Sequence, residues 1–372
     1  MEVIFERSNI LEPLSHACRI IDRKNAVPIS YHILLQACDD GSLILKAKGR
    51  DIEITAVISV NVNVSGSFTV PAQLFYDIVR KLPDGSEISL SNSDKEEQVV
   101  VFSGGSRFCL QSFSELDFPM SKEENVAYSF AIESSVLKGL IDRTHFAMAS
   151  EEIRYYLNGV FFHIAEGSKL CAAATDGHRL AISKTDTPVQ IAEIPSIIVP
   201  SKAVGEIQRI LAARNLIDSV KIGISESRIY LKMDSISMNA KLIDGEFPDY
   251  QSVVPDKNDK ELRVNCVALR QAVDRVSTVS SISSQAVKCS LSCGKLRMTV
   301  DNPDMGQAVE SLVVEYNDCD IDISFNYRYL LEIIDNVTSD DVVFLLADSD
   351  SSALIKGEGN MNTLYVLMPM RV

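Results

Sequence analysis

Three times along its 372 residues, this chain runs through the same order of elements. Each pass opens on a helical pattern: "RSNILEPLSHACRIIDRK" from Arg7, "ESSVLKGLIDRTHFAMAS" from Glu133 and "NCVALRQAVDRVSTVSS" from Asn265. Ser or Asn stands at the expected N-cap of each, and apolar residues recur at intervals of three and four. A second helical pattern starts at Pro71, Pro200 and Asn326, some 62, 65 and 60 residues after comparable positions in the first. Proline suits the first helical turn, where its missing N–H has no partner to lose. Short alternating strands with turn residues fill the intervals. "SRFCLQSFSELDFP" and "SISMNAKLIDGEFP" close the first two passes at Pro119 and Pro248, each 48 residues beyond the proline of the second helix. The third pass closes at Pro369, 43 residues after Asn326. Agreement of independent spacings marks a repeated supersecondary unit. The fold class that follows is α+β, with three similar domains, each of two helices and antiparallel sheet. Charged, polar segments at 121–128 and 255–262 mark the joints, which gives domains 1–125, 126–256 and 257–372.

Charge is divided unevenly over this plan. The net charge of −15 argues against a partner rich in phosphate if it is spread evenly. The six helical segments, however, carry 13 Lys and Arg against 8 Asp and Glu, so the rest of the chain holds −20. Helices that all faced one way would form a mildly positive surface inside a strongly negative molecule, holding a polyanion loosely and without sequence preference. Six amphipathic helices with solvated outer faces would show the same excess, so the repeat is needed to join the charges into one surface. The opening residues "MEVIFERSNI" lack the pattern of a signal peptide, and no apolar run approaches the roughly 20 residues of a membrane helix. A cytoplasmic protein with no membrane association is expected. The eight cysteines, at 18, 38, 109, 171, 266, 289, 293 and 319, form no zinc-ligand set. Buried free thiols are expected, with Cys289 and Cys293 of "CSLSC" on one strand face; no metal and no cofactor is implied.

One stretch is dense in chemistry. "AATDGHRLAI" sets Asp176, Gly177, His178 and Arg179 between apolar runs. Asp-Gly is a strong hairpin signal, because Gly tolerates positive φ. An enzyme would use Asp176 to orient His178 as a base, but no nucleophile motif, HExxH pair or Walker-type loop accompanies them. A binding wall needs less: an apolar groove with His178 and Arg179 at its edge would take a hydrophobic peptide. Met368, Pro369 and Met370 supply adaptable apolar surface for it, beside the plainer reading of a last core strand. In "YYLNG", strand alternation puts Tyr155 and Tyr156 on opposite faces, one packed and the other in solvent or against nucleotides beside Arg154. A hydrolase centred on Asp176 and His178, and an inert three-domain scaffold, stand as the rival classes.

The threefold plan, with "IRYYLNG" at 153–159, "ATDGHRLA" at 174–181, "KLIDGEFPDY" at 241–250 and "YVLMPMRV" at 365–372, resembles the bacterial DNA polymerase III beta subunit (sliding clamp) family over the whole chain. The resemblance implies a non-catalytic processivity subunit, a head-to-tail homodimer closing six domains into a ring around duplex DNA, helices inward and sheets outward. It implies partners in the polymerase catalytic subunit, the clamp loader and other proteins that dock a short peptide between the second and third domains. The implied peptide site comprises Leu157, Thr175, Gly177, His178, Arg179, Leu180, Pro248, Val253, Asn326, Tyr329, Ser352, Val366, Leu367, Met368, Pro369, Met370 and Arg371. The implied DNA contacts are Lys24, Arg80, Arg154, Tyr155, Tyr156 and Lys202. Ring closure would set Phe108 and Leu110, on an exposed edge strand, against Thr278 and Val279 of a second copy. Ser252, Ser284 and Asp350 depart from the Arg, Phe and apolar residues of some relatives and bear on peptide preference, and Glu151 is acidic beside the DNA-side tyrosines.

Overall fold

The computed structural model of the chain describes residues 1–22, 27–93, 97–119, 121, 124–165, 167–187, 194–213, 218–281 and 285–371. All six expected helices form: α1 (Arg7–Ile20), α2 (Ala72–Lys81), α3 (Ser134–Asp142), α4 (Ser201–Ala213), α5 (Cys266–Ser277) and α6 (Tyr327–Asp335). Their starts refine the sequence reading. Asn265 and Asn326 cap α5 and α6, accepting from the backbone N–H of Ala268 and Arg328. At α1 the cap is Glu6, and Ser8 Oγ donates to its carboxylate at 2.8 Å; Ser135 donates to Glu133 in the same way at α3. Pro71 and Pro200 are not the first helical residues but the last of the preceding strands. They end ladders opposite His32 and Gly159, where a missing donor and a fixed φ help turn the chain into the helix.

Contacts gather the chain into two compact units, Met1–Ser135 with Gly205–Leu242, and Val136–Val204 with Ile243–Val372. The first unit holds a five-stranded antiparallel sheet in the order Asn61–Val64, Glu2–Glu6, Glu87–Asn92, Gln98–Ser103, Ser106–Gln111. Its second sheet has eight strands: Tyr128–Glu133, Ser219–Ile224, Arg228–Met233, Ile236–Lys241, Ile52–Ser59, Ser42–Lys48, His32–Ala37, Gly66–Pro71. Ile10, Leu14 and Ala17 of α1 are buried, and the helix packs on α2 and on the hairpin Ser42–Ser59. Between α1 and α4 the buried His16 meets the equally buried Glu206, a structural pair.

The second unit also has an eight-stranded antiparallel sheet: Ile197–Pro200, Gly159–Ala165, Lys169–Thr175, Arg179–Asp186, Thr363–Leu367, Ala353–Gly357, Asp341–Leu346, Lys260–Asn265. A four-stranded sheet, Gly306–Val313, Lys295–Asn302, Ala286–Ser292, Ile321–Asn326, completes it. The sheets do not stop at the boundaries expected from sequence. Ile52–Ser59 pairs with Ile236–Lys241, and Arg179–Asp186 pairs with Thr363–Leu367, so neighbouring repeats share a ladder.

Three local expectations are corrected. Tyr155–Leu157 is a 3-10 turn, not a strand; the ladder begins only at Gly159. The thiols are not all buried: Cys109, Cys293 and Cys319 are exposed, and Cys293 sits in the turn after Ala286–Ser292, off the face of the buried Cys289. Ser106–Gln111 is an edge strand as expected, but Leu110 is buried in its own chain and Phe108 half-buried.

Candidate functional site

The hairpin at Asp176 is built by its own side chains. Gly177 takes φ +88°, and Thr175 Oγ1 accepts from its N–H at 3.1 Å while donating to the carbonyl of Arg179 at 2.6 Å. Asp176 Oδ1 accepts from the backbone N–H groups of His178 and Arg179, at 2.9 and 3.0 Å. The Asp176 carboxylate therefore meets the main chain of His178 and not its imidazole, which leaves the acid–base reading of this pair without its geometry. A Cβ on Gly177 would lie 2.7 Å from Arg154 Nη1, a flexible end that can shift aside, so it is the positive φ that holds this position to glycine.

Arg179, expected at the edge of the groove, is held on several sides by its own chain. It is buried, bound to Asp176 at 3.1 Å, to Glu332 and to the carbonyl of Phe146, and it lies 4.3 Å over the Tyr329 ring and 5.2 Å over the Phe146 ring. Its side chain braces the wall. His178 remains exposed, stacked near Tyr329 with ring centres 6.3 Å apart.

Beside this hairpin is a cavity of about 240 Å³ in the second unit. It is lined by Leu157, Thr175, Gly177, His178, Arg179, Leu180, Pro248, Val253, Val366 and Met368 of the expected peptide set. Leu180 and Val366 face each other across the shared ladder, and Met368 N–H donates to the carbonyl of His178 at 3.0 Å, which carries the chain past the hairpin. Tyr250 forms the back: its hydroxyl lies 2.8 Å from His163 Nε2 and 3.3 Å from Cys171 Sγ. Burial pushes the Tyr250 and Cys171 pKa values up and that of His163 down, so the trio stays uncharged near neutrality.

The other residues of that set lie around the cavity rather than in its lining. Asn326 caps α6, Tyr329 supports Arg179 and His178, and Leu367 is buried in its strand. The carbonyl of Ser352 accepts from Asn258 Nδ2 at 2.9 Å, and Met370 N–H donates to the carbonyl of Ser324 at 2.7 Å, with half-buried Pro369 before it and exposed Arg371 after. Ser252 Oγ is held by the carbonyl of Asp249, Asp350 is exposed, and Ser284 lies outside the described residues.

Of the residues expected on the DNA side, Arg154 and Tyr156 line the cavity too, together with Asp249 and Tyr250, which the sequence reading missed. The 3-10 turn folds Arg154 back to Glu151, whose carboxyl it holds below the ordinary range, and to the carbonyl of Asp176. No periodicity announces a single turn of this kind. Tyr155 is 52% exposed, Arg80 and Lys202 are exposed on α2 and α4, and Lys24 lies outside the described residues. Thr278 is exposed at the end of α5, with Val279 half-buried after it.

Models of the DNA polymerase III beta subunit match the chain in series: its N-terminal domain over residues 1–122, its central domain over 131–249 and its C-terminal domain over 251–371. The chain belongs to the DNA polymerase III beta subunit family. It is 38% identical to the beta sliding clamp of Caulobacter vibrioides and 35% identical to that of Escherichia coli, over the whole of both chains in each case. Its backbone matches a crystal structure of the sliding clamp of Bartonella birtlesii, bound to griselimycin, with a TM-score of 0.95, 44% identity and full coverage of both chains. Membership of this clamp family makes the chain a non-catalytic subunit rather than an enzyme. Among the described residues, no helix is long and apolar enough to cross a membrane.

Proposed function

We propose that this chain acts in the cytoplasm as a sliding clamp, a homodimeric ring of three domains per subunit (1–125, 126–256 and 257–372) that encircles duplex DNA. It keeps the replicative polymerase on its template by docking a hydrophobic peptide of each partner in the cavity of the second unit. The carrying observation is that cavity: apolar walls from Leu157, Leu180, Pro248, Val253 and Val366, a flexible Met368 at the mouth, and polar Arg154 and His178 at the rim. Exposed Arg80 and Lys202 support the DNA reading, and the positions of Ser106–Gln111 and Gly306–Val313 as edge strands among the described residues support closure of the ring by a second copy.

Isothermal titration with a short hydrophobic peptide from a polymerase partner tests the pocket. Met368→Ala and Val253→Asp should each weaken the peptide tenfold or more, about 1.4 kcal/mol, with the fold intact because both residues lie at the surface, outside the buried core. His178→Ala should weaken it less, and Arg80→Ala not at all. Unchanged affinity in both cavity variants rejects the reading.

A further inference from the structure

The repeat gives the peptide cavity a counterpart in the first unit. The hairpin Ser42–Ser59 holds the place there that Lys169–Asp186 holds in the second, and Ile236–Lys241 holds that of Thr363–Leu367. The registers correspond. Lys48 faces Glu53 as Thr175 faces Leu180, and Glu53 faces Asn239 as Leu180 faces Val366. Tyr230 flanks Asn239 as Leu354 flanks Val366. Phe118-Pro119 and Phe247-Pro248 close both sites at the same distance from their second helices. A cavity of about 270 Å³ occupies the corresponding position, lined by Lys46, Lys48, Glu53, Arg228, Tyr230 and Asn239 beside that Phe-Pro pair.

The chemistry of the counterpart is different. Glu53 and Asn239 stand where the peptide cavity has Leu180 and Val366, and Lys48 where it has Thr175. Lys48 answers Glu53 at 3.0 Å, and Asn239 and Ser121 also donate to that carboxylate. Arg228 Nε donates to the neutral Asn239 Oδ1 at 2.9 Å, and its charge also acts on Glu124, outside the lining. Lys46 has no ion-pair partner among the described residues. Three cations against one carboxylate leave a positive recess in a chain of net charge −15.

We propose that this cavity binds an acidic peptide segment of a partner protein, its carboxylate answering Lys46 and Arg228 and an adjacent apolar side chain packing on Phe118 and Pro119. The peptide mode rests on the reading of the second-unit cavity as a peptide site; the charge preference rests on the first unit alone. One chain could then hold two different segments, selected by charge.

Fluorescence anisotropy on the full chain tests this with a labelled octapeptide alternating Glu and Leu. It should bind one site per chain, weaken as salt rises, and lose at least tenfold in affinity in Lys46→Glu and in the peptide with Gln for Glu. The Gln peptide leaves the protein untouched, so a folding defect in the variant does not decide the outcome. Met368→Ala should leave the acidic peptide bound, and a saturating hydrophobic peptide should not displace it. Equal binding of the Glu and Gln peptides, or displacement by the hydrophobic peptide, overturns the proposal. So does displacement by a duplex oligonucleotide, which would assign these cations to DNA. If the hydrophobic peptide fails to bind while the acidic one binds through Lys46, the second-unit reading falls and the charged site stands.

Discussion

His32 shows how a single buried side chain ties stability to pH. Its strand lies beside the edge strand Gly66–Pro71 of the eight-stranded sheet, Nδ1 lies 3.1 Å from Thr69 Oγ1, and the ring tilts against Phe113. Burial lowers its pKa from the ordinary 6.5 to about 4. Between those values the unfolded chain binds the proton and the folded chain does not, so stability falls as pH drops through this window and levels off below it. The full effect for a shift of this size is about 3 kcal/mol. Urea unfolding followed from pH 7 down to 4.5 should therefore show a steeper loss in the parent chain than in His32→Gln; parallel losses would show that His32 does not sense the pH. Residue identity alone announced little of this, since a histidine in an apolar strand reads the same whether or not Thr69 waits for it. Arg179 makes the same point at the cavity. "TDGHRLA" revealed the hairpin through its Asp-Gly turn, but only the fold brings Glu332, Tyr329 and Phe146 together to absorb the guanidinium.

Edges and single turns are where elements carry consequences that pattern reading blurs. The six helices were legible because each couples a three-and-four apolar stripe to a punctuating Ser, Asn or Pro. Tyr155–Leu157 was not, because three residues are too few for period two and period 3.6 to diverge, and the turn is what delivers Arg154 and Tyr156 to the cavity. On Ser106–Gln111, alternation correctly put Phe108 and Leu110 on one side but could not say that their own sheet buries Leu110. The two positions should therefore respond differently to charge. Leu110→Glu places a carboxylate in the core and should destabilise the first unit by several kcal/mol. Phe108→Glu should leave the fold standing and shift the chain from dimer to monomer in sedimentation. A folded, fully dimeric Phe108→Glu would move the subunit contact to another edge.

At the scale of the whole molecule, retention by a ring differs from retention by affinity. The clamp should stay longer on circular duplex than on linear duplex with free ends, and equal residence on both would exclude encirclement. Neutralising Arg80 and Lys202 together should lower direct DNA affinity and flatten its salt dependence by about one unit per lost phosphate contact. The repeat made three copies of one plan legible, yet not that neighbouring copies would share ladders, because strand pairing across a boundary leaves no mark in the spacing. Those shared ladders set a timetable for synthesis. Arg179–Asp186 finds its neighbour only when Thr363–Leu367 is made, 180 to 188 residues later. At about 5–20 residues per second, that is a wait of roughly 10–40 s with one strand edge uncovered. During translation this edge is where a nascent chain would recruit a chaperone or pair with the wrong strand, and the peptide cavity can take shape only once the wait is over.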